Sequence, residues 1–189
     1  MTEKTDLEII EEIKGGNLDA YRILYERHAT AMYNLCIRYL GSTEEAEDAM
    51  QDVFVKAYET ILHWEPRAQF KTWIYRIAIN HCLNILRRRK VIFFQSIFAA
   101  KNEGPGPELL NPRDKTPTAD DQLIDRQQKQ RVWRAVQKLP AQQKTVILLY
   151  YYQQLSYKEI AEILNISLSS VESRIFRAKK SLAKILKKE

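Results

Sequence analysis

The chain has 189 residues, of which 45% are hydrophobic and 10% aromatic, and a net charge of +6, so it holds enough apolar material for one large or two small cores and is not disordered throughout. Its two cysteines, Cys36 and Cys82, have no CxxC pairing and no histidine at metal-ligand spacing apart from the adjacent His81, which argues against a disulfide framework or a zinc site. The opening MTEKTDLEIIEEIKGGN is not a basic start followed by an apolar run, and no apolar stretch approaches the roughly 18 residues of a membrane span, so a cytoplasmic protein without membrane insertion is expected.

Only five glycines, with abundant Leu, Ile, Glu, Lys and Ala, favour an all-α chain. In chain order the helical patterns cover 5–14, 17–40, 43–63 and 69–90, then 119–138, 141–153, 156–164 and 168–186. Thr5 or Asp6 marks the first start, and Ser42 with Glu45 and Ser156 with Glu159 have capping-box spacing. Pro140 suits the first turn of its helix. VIFF at 91–94 has a strand-like composition. From about residue 101, KNEGPGPELLNPRDKTPTADD carries four prolines and no apolar period, which reads as a linker. The expected organisation is therefore a first domain at 1–95, a flexible linker at 96–118 and a second domain at 119–189.

Charge divides along the same lines. Residues 1–100 hold 13 Lys/Arg against 14 Asp/Glu, residues 101–121 hold 3 against 5, and residues 122–189 hold 14 against 5. The basic excess sits wholly in the last third, which points to a polyanion partner there.

Three helix faces stand out. Between 43 and 63, Ala46, Met50, Val53, Ala57 and Ile61 form a core stripe at spacings of four, three, four and four. The other side carries Asp48, Gln51, Asp52, Val55, Tyr58, Glu59 and Leu62, apolar groups among carboxylates, the pattern of a docking surface. The pattern at 69–90 is apolar almost all round, with one polar stripe of Gln69, Thr72, Arg76, Asn80 and Arg87 and a closing run Arg87 to Lys90 suited to phosphates as well as to the negative helix end. His81 falls on the buried stripe and reads as a core histidine.

The last pair of helices forms a helix-turn-helix: Ile160, Ala161 and Leu164 face inward, Asn165 takes the left-handed turn, Ile166 packs between the helices, and the second helix begins at Ser167 or Ser169. In that helix Val171, Ile175, Ala178 and Leu182 share one stripe, while Ser169, Ser173, Phe176, Arg177, Lys180 and Lys184 lie opposite. An outward phenylalanine among cations suits a major groove, where it can meet a thymine methyl while arginine bonds guanine.

These residues resemble the bacterial sigma factors, specifically the small extracytoplasmic-function group of the sigma-70 family. "LPAQQKTVILLYYYQQLSYKEIAEILNISLSSVESRIFRAKKSL" is similar to the promoter −35 domain, with a Leu-Pro start, an EIA helix and a Val-x-Ser-Arg-x-x-Arg-Ala recognition helix. "AEDAMQDVFVKAYE" resembles the helix that docks on core polymerase, and "FKTWIYRIAINHCLNILRRRK" the helix that holds the −10 element. The resemblance implies an all-α fold of two small helical domains and a non-enzymatic subunit without cofactor or metal. It implies core contacts at Asp48, Gln51, Asp52, Val55 and Tyr58. It places −10 capture at Trp64, Arg67 and Gln69, with Thr72, Arg76, Asn80, Arg87 and Arg88 along the strand's path. It places −35 contacts at Ser169, Ser170, Glu172, Ser173, Arg174, Phe176, Arg177 and Lys180. Glu172 stands where the family commonly has Lys or Arg. Core RNA polymerase, duplex −35 DNA, the melted −10 strand and an anti-sigma factor are the implied partners. A stand-alone helix-turn-helix regulator with a sensing domain is the alternative, whereas an enzyme built on His63, His81 or Cys82 has no acid, base or nucleophile constellation behind it.

Overall fold

The computed structural model describes residues 4–66, 68–99 and 120–187, with side chains described to Val91 and again from Gln128. Among these residues the secondary structure is helical throughout: α1 (Asp6–Lys14), α2 (Tyr21–Leu40), α3 (Thr43–Ile61), α4 (Phe70–Ala99), α5 (Asp120–Gln137), α6 (Ala141–Ile147), α7 (Tyr157–Leu164) and α8 (Leu168–Leu186). A short 3-10 turn, Leu18–Ala20, precedes α2, and a π turn, Leu148–Tyr152, continues α6. The chain divides into two compact units, Met1–Pro112 and Arg113–Glu189.

In the first unit α2, α3 and α4 pack on one another and α1 closes against α2. The starts follow their signals. Thr5 and Glu8 cap α1 reciprocally, and Ser42 accepts weakly from Glu45 N at 3.5 Å ahead of α3. Gly41 ends α2 with φ 80, a left-handed conformation that costs glycine nothing, and its N–H bonds the Ile37 carbonyl. The core is Ile9, Ile10 and Ile13 from α1, Leu24, Met32, Leu35 and Cys36 from α2, Ala46, Val53, Phe54 and Ile61 from α3, and Ile74, Ala78 and Cys82 from α4. Phe54 and Ala49 join the expected α3 stripe, while Met50 stays half-buried. Cys36 and Cys82 are free thiols whose sulfurs meet at 3.7 Å inside this core.

An ion-paired cluster ties α1 to α2. Arg27 Nη1 donates to Asp6 Oδ1 at 2.5 Å and His28 Nε2 to Asp6 Oδ2 at 2.8 Å, and the His28 ring leans on Phe70. Burial alone would raise the Asp6 carboxyl; the hydrogen bonds from His28 and Arg27, with their charges, outweigh it and hold the group below its usual range.

The structure changes two expectations here. The segment 91–94 is helical, because α4 runs on to Ala99, past the expected domain end at 95. His81 is half-buried rather than wholly in the core: its side chain is 27% exposed, while its Nε2 is shielded from solvent and lies 3.3 Å from Asp52 Oδ2 without hydrogen-bond alignment. A helix apolar on nearly every side carries no clear phase, so its buried face could not be read from spacing alone.

In the second unit Val146, Ile147, Leu148 and Leu149 supply a continuous apolar run that packs with Ala135, Val136, Leu155, Ile160, Ile163, Val171, Ile175 and Ala178. Pro140 is the cap of α6 rather than its first residue. The π turn sends three consecutive tyrosines to three neighbours: Tyr150 to Tyr157 of α7, Tyr151 to Lys179 of α8, and Tyr152 to Trp133 of α5. Ser156 and Glu159 form a complete capping box on α7.

Candidate nucleic-acid interface

The turn between α7 and α8 fixes the recognition surface. Asn165 sits at φ 52 and ψ 51, the left-handed region that asparagine tolerates better than most residues, and Ile166 N–H returns to the Ala161 carbonyl at 3.1 Å. Ser167 then caps α8 by accepting from Ser170 N. This start sets the phase of α8: Val171, Ile175 and Ala178 are buried, and Leu182 is half-buried. Ser169, Glu172, Ser173, Phe176, Arg177 and Lys180 are exposed; Ser170 and Arg174 are half-buried at the margins. Phe176 is 69% exposed, more than any other large hydrophobic side chain among the described residues. Arg177 Nε donates back to the Ser173 carbonyl at 3.2 Å, which aligns the guanidinium along the face. Elsewhere on α8, the Tyr151 hydroxyl raises Lys179 above the ordinary lysine range by hydrogen bonding and charge.

In the first unit, Asp48, Gln51, Asp52, Val55, Tyr58, Glu59 and Leu62 are all exposed, with Val55 at 56%. Tyr58 does not stand alone. Its ring meets Tyr21 edge-on at 5.0 Å, and the Tyr21 hydroxyl, its ionisation pushed well up by burial, donates to the Phe54 carbonyl at 2.6 Å. Leu18, Asp19, Tyr21, Arg22 and Tyr25 line a shallow cavity with Tyr58, so the apolar part of this surface continues onto α2. Spacing along α3 could not find it, because it joins two helices; the four-residue step from Tyr21 to Tyr25 was the available signal.

Along α4, Gln69, Asn80, Arg87 and Arg88 are exposed and Arg76 is half-buried. Two expected contacts are turned inward. Thr72 is buried, so it leaves the polar stripe, and Trp64 is only 7% exposed, with its ring against Trp73. A side chain held in the core offers no stacking face to a base. Arg67 lies outside the described residues. Arg89, within the basic run, pairs with Glu45 and donates to the Leu40 carbonyl, joining α4 to the end of α2 and the start of α3. The run thus splits between fold and surface.

The two units offer a basic helix-turn-helix and a separate helical surface with carboxylates around apolar groups, the outline of a sequence-reading protein that also docks on a partner. The sigma-70 region 2 family model matches residues 24–91 and the sigma-70 region 4 model residues 129–182. The ECF RNA polymerase sigma factor SigW of Bacillus subtilis (strain 168) is 33% identical over 178 residues, covering 94% of this chain and 95% of that protein. The ECF RNA polymerase sigma-E factor of Escherichia coli (strain K12) is 31% identical over 184 residues, covering 94% and 92%. The fold is also similar, with a TM-score of 0.64, 22% identity and coverage of 88% and 96%, to the sigma factor RpoE of Bartonella quintana, solved with the anti-sigma factor NepR. The chain belongs to the extracytoplasmic-function group of the sigma-70 family. It is an alternative sigma factor, which binds core RNA polymerase, recognises −35 and −10 promoter elements and promotes the melting that begins transcription.

Proposed function

We propose that the outward face of α3, with Asp48, Gln51, Asp52, Val55 and Tyr58, docks on core polymerase. In this reading Gln69, Arg76, Asn80, Arg87 and Arg88 hold the melted −10 strand, whose backbone needs cations and whose unstacked bases need polar and flat surfaces. The exposed face of α8, from Ser169 to Lys180, lies in the −35 major groove. The observation that carries the reading is Phe176: a phenylalanine 69% exposed between serines and cations gains from contact with a groove and loses from water. The first domain has the polymerase and −10 tasks, the second the −35 task, and the segment between α4 and α5 is the tether.

The chain is a non-catalytic subunit working in the cytoplasm, since the bond-making chemistry belongs to polymerase. No helix among the described residues is long and apolar enough to cross a membrane. An anti-sigma factor completes the set of partners: the Bartonella quintana relative was solved with one, and exposed Val55, Tyr58 and Phe176 are surfaces such an inhibitor can cover. The test is run-off transcription with purified core polymerase on genomic fragments. Discrete transcripts that need the added chain are expected. Tight duplex binding by a dimer without polymerase, and no transcripts, would mark a stand-alone regulator instead.

A further inference from the structure

Lys14 ends α1, and its ammonium reaches across 50 residues of sequence to the loop between α3 and α4. Nζ donates to the Trp64 carbonyl at 2.9 Å and stands 5.8 Å from the centre of the Trp64 ring. That ring is held by Trp73 at 6.4 Å; Trp73 meets Phe70 at 5.6 Å, and Phe70 meets His28 at 5.3 Å. Trp64 is therefore a fixed point on the path from α3 to Gln69 and α4, and its own N–H is already bonded to the Ile61 carbonyl. A carbonyl just beyond a helix end has no partner within the helix, and a donor from another element settles where it points.

We propose that Lys14 is a positioning residue for −10 strand capture: through the Trp64 carbonyl and ring it sets the course of the loop and so the place of Gln69 and the start of α4. The inference rests on the reading of Gln69, Arg76 and Asn80 as the strand-holding stripe. Lysine suits the task because its long stem spans the gap and its charge suits both the negative end of α1 and the face of an indole. Glu11, 3.9 Å from Nζ, steadies the head group. Lys14 itself precedes the region 2 family match, which begins at residue 24 and includes Trp64, so that match does not assign the lysine a role.

The test uses holoenzyme reconstituted from the full chain and core polymerase, with two probes taken from a promoter found by run-off transcription. One is a single-stranded oligonucleotide carrying the non-template −10 element; the other is a duplex carrying only the −35 element. Lys14→Met keeps the stem and removes donor and charge. It should weaken strand binding about three- to tenfold, the size of one ordinary net hydrogen bond because the contact acts through the loop rather than on the strand, and leave −35 duplex binding unchanged. Lys14→Arg should restore most of the loss. Unchanged strand binding in Lys14→Met, while Gln69→Ala weakens it, overturns the positioning role alone. No effect from either variant overturns the stripe and the positioning role together. Equal losses on both probes, or no recovery with Lys14→Arg, would make the contact a general support of the fold and also overturn the proposal.

Discussion

At the scale of single residues, a side chain's surroundings decide whether it can serve as a contact. Arg177 is exposed and aligned by its bond to the Ser173 carbonyl, so Arg177→Ala should cost about 1 to 3 kcal/mol at one −35 base pair and relax the preference there. Competition binding across −35 variants checks this, and uniform weakening would mark a phosphate contact. Glu172 is exposed at the edge of the same face, where a carboxylate repels phosphate or accepts from a cytosine amino group. Glu172→Lys should strengthen holoenzyme binding to scrambled DNA and steepen the log–log salt slope by roughly one unit, since one new phosphate contact releases about one counterion. Binding across a salt series measures it. Asp6 gives a pH dependence. Its carboxyl lies lower in the folded chain than in the unfolded one, so its stabilisation is complete above the unfolded value near about pH 3.9 and is lost as pH falls through the folded value. Asp6→Asn should lower stability by about 1 to 2 kcal/mol at pH 7 and flatten the loss below about pH 4, as urea unfolding at several pH values would show. Outward residues such as Phe176 were legible because spacing on a strongly two-sided helix fixes their direction. Trp64 was not: the neighbours that bury it, Trp73 and Lys14, come from elsewhere in the chain.

At the scale of elements, legibility followed amphipathicity. The outward residues of α3 all emerged in water, because its core stripe is narrow and continuous. Asp52→Lys or Val55→Glu should therefore abolish assembly with core polymerase and leave the helix content unchanged, which co-elution and circular dichroism would report. On α4 the sequence places apolar groups on nearly every side, so neither the inward turn of Thr72 nor the partial burial of His81 follows from spacing. The run Arg87 to Lys90 could not be divided by charge alone, since only the fold brings Glu45 and the Leu40 carbonyl to Arg89. Arg89→Ala should lower the stability of the first unit by about 1 kcal/mol, whereas Arg88→Ala should leave stability unchanged and weaken −10 strand binding. Thermal unfolding and oligonucleotide binding separate the two effects.

At the scale of the whole molecule, the uneven charge along the chain and the proline-rich stretch already suggested two helical domains with different partners. What composition could not supply was the end of α4, which continues as far as Ala99 without any breaker in IFFQSIFA to stop it. The division of tasks between domains gives a further expectation. Arg76→Ala and Asn80→Ala should impair transcription from closed duplex promoters, and a template already unpaired across the −10 element should recover part of the defect. Run-off yields on the two templates decide it; equal defects on both would remove a role in melting.

The π turn at Leu148–Tyr152 bears on how this chain can change over time. Such a turn holds one residue more than an α-helix requires, and removing one residue would turn everything after it by about 100°. Tyr150, Tyr151 and Tyr152 would then leave Tyr157, Lys179 and Trp133 together, which touches three helices at once. The stretch should accept aromatic exchange at single positions but not a one-codon deletion, so length here is under a stricter constraint than identity.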